Sequence, residues 1–423
     1  MSRKPPSFSP PDVQIRQDSN LVTKNRHYKL ITPLYGGGVS PAEADPITIV
    51  RGTEVRGHLR FWWRATQGGK YKSIEEMKEK EDQIWGSSAA PGKPGPSPII
   101  IVTNILNRGT HYKAKNRSGK PINNIGMPSS IDSYVAFPLR EERNPVLLEN
   151  IEFNLMITYP KEFIDHIEAA LWAWETFGGL GARTRRGFGA LLCTRIDEDP
   201  VPLSTRQEFE QTLKAHLVRY AINGRNNLPG VPYLSDSMRF VIINGNEPMS
   251  IWRKLVNGLR TFRQQRFPDR NNHAFGRSKW PEPDAIRRLT GESATKHEKP
   301  RSYIDKFPRG KLGLPIIFQF KEGDVGDPNP TTLQGANHDR LASPLILRPI
   351  ACSDGAVGLA AVLNWLPMSP EDESYTPPGG LILRGAEDDR EVNSDLEQVE
   401  ADDIQPLNGE KDIIQAFLNY LDS

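Results

Sequence analysis

The sequence predicts an α+β protein made of two ferredoxin-like (RRM-like) βαββαβ domains in tandem, each with long insertions. Over residues 24–196, apolar patterns alternate in the order strand, helix, strands, helix, strand, as in a sheet with helices on one face. A second set of comparable patterns begins near Met238. The chain has 423 residues, 37% of them hydrophobic, which is more apolar material than one core usually absorbs. No fixed-period repeat links the two sets, so the duplication rests on element order alone.

Residues 1–23 are polar and proline-rich and predict a flexible N-terminal arm. Lys24–Pro33 alternates like a strand and feeds a turn at Gly36-Gly37-Gly38. Arg51–Gly68 has helical apolar spacing and stops at Gly68-Gly69. Ala89–Pro98 is a proline- and glycine-rich loop, and the β-branched run Ile99–Leu106 predicts a buried strand. A polar insertion (107–130) precedes two further predicted strands, Ser133–Leu139 and Ile151–Tyr159. Lys161–Phe177 then places Phe163, Ile167, Ala170, Leu171, Trp174 and Phe177 on one helical stripe, and Ala190–Arg195 is the last strand of the first domain (24–196). A polar connecting segment (197–236) leads to the second domain (237–368). Its predicted elements are a strand at Met238–Asn244, a helix at Ser250–Arg266, and strands near Leu314–Lys321, Leu345–Ile350 and Leu359–Leu366.

The formal charge of +2 hides an asymmetry. Residues 369–423 carry 15 Asp and Glu against three Lys and Arg, which predicts a solvated, partly disordered acidic segment. The remainder carries 51 basic against 37 acidic residues, the balance expected for a polyanion partner. The longest apolar runs, Pro315–Phe320 and Gly358–Leu366, fall short of the ~20 residues of a membrane-spanning helix. With no apolar signal core at the start, the sequence points to a cytoplasmic protein. Cys193 and Cys352 stand far apart, which excludes a disulfide framework and a thiolate zinc site. No metal or cofactor is expected.

Two basic features are the candidate nucleic-acid contacts. On the predicted helix from Arg51, the residues Val55, Leu59, Trp62 and Thr66 share one arc, with Phe61 and Ala65 widening it. Arg56, Arg60 and Arg64 form a ladder on the neighbouring arc, with Trp63 at the border and Arg51 at the helix start, so the arginines suit spaced phosphates and Trp63 suits a base. The alternative is a solvated cationic face. The second feature is the segment 178–189, with Gly181, Arg183, Arg185, Arg186 and Gly187 and no acid. It lacks a P-loop ending and a GxGxxG, so a mononucleotide or dinucleotide fingerprint is rejected. Its glycines allow close backbone approach to phosphates that the arginines neutralise; the alternative is a turn with surface arginines. Arg186-Gly187-Phe188-Gly189 matches the first half of an RRM motif, but Ala190, Leu192 and Cys193 replace the later aromatics. A third basic stretch, including Arg263 and Arg266, either extends the track or is the exposed face of an amphipathic helix and the loop after it.

Several motifs together resemble the RAMP superfamily of CRISPR proteins: Ile31-Thr32-Pro33-Leu34, the glycine turn, Val55-Arg56-Gly57-His58-Leu59-Arg60-Phe61-Trp62-Trp63-Arg64-Ala65, Ile84-Trp85-Gly86-Ser87 and the arginine-glycine loop. The double tryptophan is similar to that of the subunit-one family of the Cmr (type III-B) effector complex. Gly313-Leu314-Pro315-Ile316 and Arg340-Leu341-Ala342-Ser343-Pro344-Leu345 resemble the second half of the same family. The resemblance implies two ferredoxin-like domains and a place in an antiviral ribonucleoprotein, at the end distal to the crRNA 5′ tag. It implies contact with crRNA and single-stranded target RNA, neighbouring RAMP subunits (six and four) as partners, and no catalytic role. The competing expectation is a metal-independent endoribonuclease that processes CRISPR RNA with a histidine as general acid or base. Its candidates are His27 and His58; the lone histidine on the apolar side, His58, reads as packing, and neither has a paired residue that marks a catalytic site.

Overall fold

The computed structural model describes residues 20–423 except 39–42, 46, 89–91, 93, 143–144, 227, 269–274, 321–324, 366–379 and 386–387. The predicted N-terminal arm, up to residue 19, lies outside the described residues. The first half contains β1 (Leu21–Leu30), α1 (Gly52–Gln67), α2 (Ile74–Trp85), β2 (Ile100–His111), β3 (Leu148–Pro160), α3 (Ile164–Phe177), β4 (Leu191–Ile196) and β5 (Asp199–Pro200), followed by α4 (Phe209–Tyr220). The strands form one antiparallel sheet in the order β2-β3-β1-β4-β5. Period-2 alternation sets its faces: Arg26, Tyr28 and Leu30 of β1, and Ile151, Phe153, Leu155, Ile157 and Tyr159 of β3, point inward. His27 and Lys29 lie on the opposite face, and α1 and α3 pack together in the first core.

The second half contains β6 (Phe240–Gly245), α5 (Pro248–Arg263), β7 (Arg266–Pro268), β8 (Phe275–Ser278), α6 (Glu282–Thr290), β9 (Ile316–Phe318), β10 (Thr331–Gly335), β11 (Leu345–Cys352), β12 (Gly355–Val362), β13 (Leu381–Arg384), β14 (Arg390–Val392), α7 (Gln398–Asp403) and α8 (Ile413–Asp422). Its central antiparallel sheet has the order β11-β12-β6; a second has the order β14-β13-β10-β9, and β7 pairs with β8. The central sheet is buried on both faces. Ile346, Val357, Leu359 and Ala361 join the first half's core, while Leu345, Leu347, Ala356, Ala360 and Val362 join a core covered by α5 and α8. This explains why β11 reads as a near-continuous apolar run rather than an alternating one. Arg348, on the face toward the first half, is fully buried. One of its guanidinium nitrogens donates to the carbonyls of Glu175 (2.8 Å) and Leu191 (3.1 Å), and burial lowers its pKa to about 9.

Three expectations are corrected. Ser133–Leu139 is not a strand but a set of turns ending in a 3-10 turn, Phe137–Leu139; Pro138 has no N–H for a ladder, and the side chains of Ser130 and Asn124 hydrogen-bond nearby backbone groups instead. Helix α4 interrupts the connecting segment (197–236) read as polar. The acidic C-terminal segment, among its described residues, is largely folded: Ile413, Ile414, Phe417 and Leu418 sit at helical spacing and are buried in the second core. Its summed charge concealed that amphipathic stripe.

Candidate nucleic-acid interface

The arginine-glycine loop follows α3 and is shaped by its glycines. Gly181 has φ +74°, and its N–H donates to Glu54 Oε1 of α1 at 2.8 Å. The N–H of Ala182 donates to the carbonyl of Tyr35 at 2.7 Å. Gly187 has φ +82°, and a Cβ there would lie 2.5 Å from Trp252 Cδ1, so only glycine fits. The loop docks onto the second half: Arg185 donates to the Ser343 carbonyl at 2.7 Å, Arg186 to the Leu345 carbonyl at 3.0 Å, and Trp252 Nε1 to the Arg186 carbonyl at 2.7 Å. The loop predicted to contact RNA is thus a clasp between the two halves of the chain. Burial lowers the pKa of Arg186 to about 10, aided by Arg263, Arg183 and Arg185, and burial also lowers that of Arg183.

Beside this clasp runs a groove of about 1070 Å³. Nine arginines line it: Arg183, Arg185 and Arg186 from the loop, Arg260 and Arg263 from α5, and Arg117, Arg140, Arg309 and Arg340. No acidic residue does, among the described residues. Helix α5 turns Ile251, Trp252, Leu255, Val256, Leu259 and Phe262 into the core, leaving Arg260 and Arg263 at its C-terminal end to reach the groove. Arg309 is fixed by Glu282 Oε1 (3.0 Å) and the Arg263 carbonyl (2.9 Å). By contrast, the guanidiniums of Arg117, Arg140, Arg260, Arg263 and Arg340 have no ion pair or hydrogen bond among the described residues. Between the charges lie apolar surfaces from Tyr134, Phe137, Leu314, Ile317 and Leu341. Like charges gathered in a cleft without acids focus a positive potential, and apolar surface beside them suits unstacked bases.

The helix ladder does not belong to this groove. Arg60 Nε (2.9 Å) and Arg64 Nε (3.2 Å) both meet Glu81 Oε1, a buried carboxylate on α2. Arg56 donates to the Ile99 carbonyl at 3.0 Å, and Arg51 to that of Gly37. Helix α1 turns Glu54 and Phe61 toward the arginine-glycine loop, whereas Arg60 and Arg64 point toward α2. The assignment of Trp63 to base stacking is corrected: it is 0% exposed, with Nε1 donating to His166 Nδ1 at 3.2 Å. Both tryptophans of the pair are core residues, because the apolar arc of α1 is wide enough to take both. Arg263 lines the groove, and Arg266 lines an adjoining basin.

The sequence reading singled out neither Arg117, Arg140 and Arg309 nor the apolar surfaces between them. Of these only Arg309 carried a local signal, the basic glycine run Arg309-Gly310-Lys311-Leu312-Gly313, most of which falls in a 3-10 turn (Pro308–Leu312); Arg117 lies in the stretch read as a polar insertion (107–130). Neither histidine candidate lines the groove. His27 hydrogen-bonds Thr194 and lies 3.9 Å from Glu152; His58 stacks on Trp174 with Glu54 at 3.7 Å. Each therefore has an acid nearby, which the sequence reading did not see. No group of three or more His, Cys, Asp and Glu fit to hold a metal occurs among the described residues. No helix among them is long and apolar enough to cross a membrane.

Residues 27–192 match the RAMP superfamily. The chain is 24% identical over 245 residues to the CRISPR system Cmr subunit Cmr1-1 of Pyrococcus furiosus, covering 54% of this chain and 69% of that protein. It is similar to the crystal structure of Cmr1 from Pyrococcus furiosus in its apo form (TM-score 0.46, 17% identity, 83% of this chain and 90% of that one). A chain of the cryo-EM structure of the type III-B Cmr-beta complex bound to cognate target RNA is also similar (TM-score 0.46, 13% identity, 81% and 94%).

Proposed function

We propose, from the premise that this is a RAMP-superfamily, Cmr subunit 1-like protein, that it is a non-catalytic RNA-binding subunit of a type III-B CRISPR (Cmr) effector complex. The observation that carries the reading is the groove with nine arginines, no acid and an apolar surface. Such a surface takes a single strand, whose phosphates meet the arginines while its bases meet apolar side chains; a duplex hides its bases. The strand is crRNA, target RNA or both, at the end of the complex distal to the crRNA 5′ tag. The partners are other RAMP subunits, with subunits six and four as the expected neighbours. The antiparallel order β2-β3-β1-β4, with α1 and α3 in the connections, supports a ferredoxin-like first domain. The order β11-β12-β6, with α5 following β6, repeats its first three strands and supports a second copy whose last helix is α8.

A non-catalytic role is supported by where the histidines lie. His27 is on the sheet face opposite the core and His58 is stacked on a core tryptophan, both away from the groove lining. The test is binding of the full chain to labelled single-stranded RNA, duplex RNA and DNA, followed by incubation of the RNA without metal. Tight single-strand binding with intact RNA is expected. Cleavage lost in His27→Ala or His58→Ala would overturn the non-catalytic assignment.

A further inference from the structure

Sharing Arg117, Arg309 and Phe318 with the groove, a second basin of about 920 Å³ opens within the segment between α5 and β10. Its chemistry differs from the groove's. Here buried carboxylates fix several of the arginines. Asp284 accepts from Arg277, from Arg287 at 3.0 Å and from the backbone N–H groups of Arg301 and Ser302. Asp327 accepts two bonds from Arg287, at 2.9 Å each, and one from His297 Nδ1 at 2.7 Å. Such fork-to-carboxylate pairing locks geometry as well as charge.

Once those pairs form, Arg266 and Arg301 face the basin with no carboxylate partner among the described residues. The single hydrogen bond of the Arg266 guanidinium is a long one, 3.3 Å to the Gly276 carbonyl. Arg309 is its like-charged neighbour; burial, then this neighbour, lowers the pKa of Arg266. Arg301 is braced against the Phe267 ring, 4.4 Å from its centroid. Two acids, Asp284 and Asp327, line the basin against six arginines and Lys296. That excess leaves a positive charge that a bound anion can neutralise, and the volume falls in the range of small-ligand pockets, roughly 300–1,000 Å³.

The geometry points to a nucleotide phosphate-ester site in which Arg266 and Arg301 receive the phosphate, backed by the Arg309 and Arg287 ion-pair lattice. The phosphate belongs either to a free nucleotide or to the continuation of the strand in the groove. The second source rests on the strand-binding reading above; the first does not.

The test uses the full chain and a basin variant, Arg266→Gln with Arg301→Gln. A groove variant, Arg140→Ala with Arg340→Ala, is the comparison. AMP binding is measured by calorimetry, and binding of labelled oligouridylates of about 4 and about 16 nucleotides by anisotropy. If AMP binds and the basin variant weakens it about tenfold while the groove variant does not, the site takes a free nucleotide. If AMP does not bind but the basin variant removes about tenfold of the longer strand's affinity and spares the shorter, it takes a strand phosphate. A basin variant that matches the unaltered chain with AMP and with both lengths overturns the inference. If the unaltered chain binds no RNA, the groove reading fails, and the AMP titration alone decides the basin: no AMP binding then overturns it as well. Melting curves of the two chains confirm that the basin variant is folded.

Discussion

Removing Arg140 and Arg340 tests the groove without disturbing the fold, because both are exposed and their guanidiniums have no partner among the described residues. For a single strand, each neutralised phosphate contributes about 0.7 to the slope of log affinity against log salt, so nine arginines set a ceiling of roughly 6. The double alanine variant lowers the slope by up to about 1.4, equivalent to roughly 25-fold in affinity at 0.1 M salt. Thermal stability stays unchanged. Arg185→Ala and Arg186→Ala behave differently. Each loses a charge-assisted bond to a carbonyl of the second half, so each costs about 1.5–3 kcal/mol of stability besides weakening RNA binding. The assay is anisotropy across a salt series, paired with melting curves. An Arg140/Arg340 variant with the unaltered slope and affinity would refute the groove as the phosphate track. Clasp variants that lose affinity with no loss of stability would refute the interdomain role of the loop.

Trp63→Ala should destabilise by about 3–5 kcal/mol in chemical denaturation, the cost of emptying a buried aromatic site; a stable variant defective only in RNA binding would restore the stacking role rejected above. His166, whose Nδ1 accepts from Trp63, has its pKa lowered by burial from 6.5 to about 4. The unfolded chain therefore takes up a proton first, so this contribution to stability is complete above pH 6.5 and is lost as pH falls toward 4. His166→Gln should flatten the fall in denaturation midpoint over that window, and an identical pH profile would count against the assignment. Gly187→Ala should lower both melting temperature and RNA affinity, because its methyl meets Trp252 at 2.5 Å and φ is +82°; a variant with unaltered melting would show that the clasp adapts.

What the sequence could convey was local. The periodicity of the segment from Arg51 located α1 to within a residue or so at each end and identified its apolar arc. Assigning Arg56, Arg60 and Arg64 to phosphate required knowing that nothing else met them. Glu81, which meets Arg60 and Arg64, lies on another helix, and the Ile99 carbonyl, which meets Arg56, is a backbone atom just before β2, so no spacing along α1 reveals either. The arginine-glycine loop was found by composition, yet its hydrogen-bond acceptors, the Ser343 and Leu345 carbonyls, are about 160 residues away and are backbone atoms that carry no residue-type signal. The C-terminal helix was missed for the opposite reason: 15 acids in the last 55 residues dominate any average, while four apolar side chains on one stripe decide whether it folds.

The double burial of the β11-β12-β6 sheet has a mechanical consequence. Because one side of this sheet is continuous with the first half's core and the other carries α5 and α8, the halves share a wall and are not joined by a hinge. Separating them exposes apolar surface on both and strips the carbonyl partners from Arg348, so each half expressed alone loses part of its interior. On the strand-binding reading proposed above, Arg185 and Arg186, held on the Ser343 and Leu345 carbonyls at the start of β11, take their positions at folding, before any strand arrives.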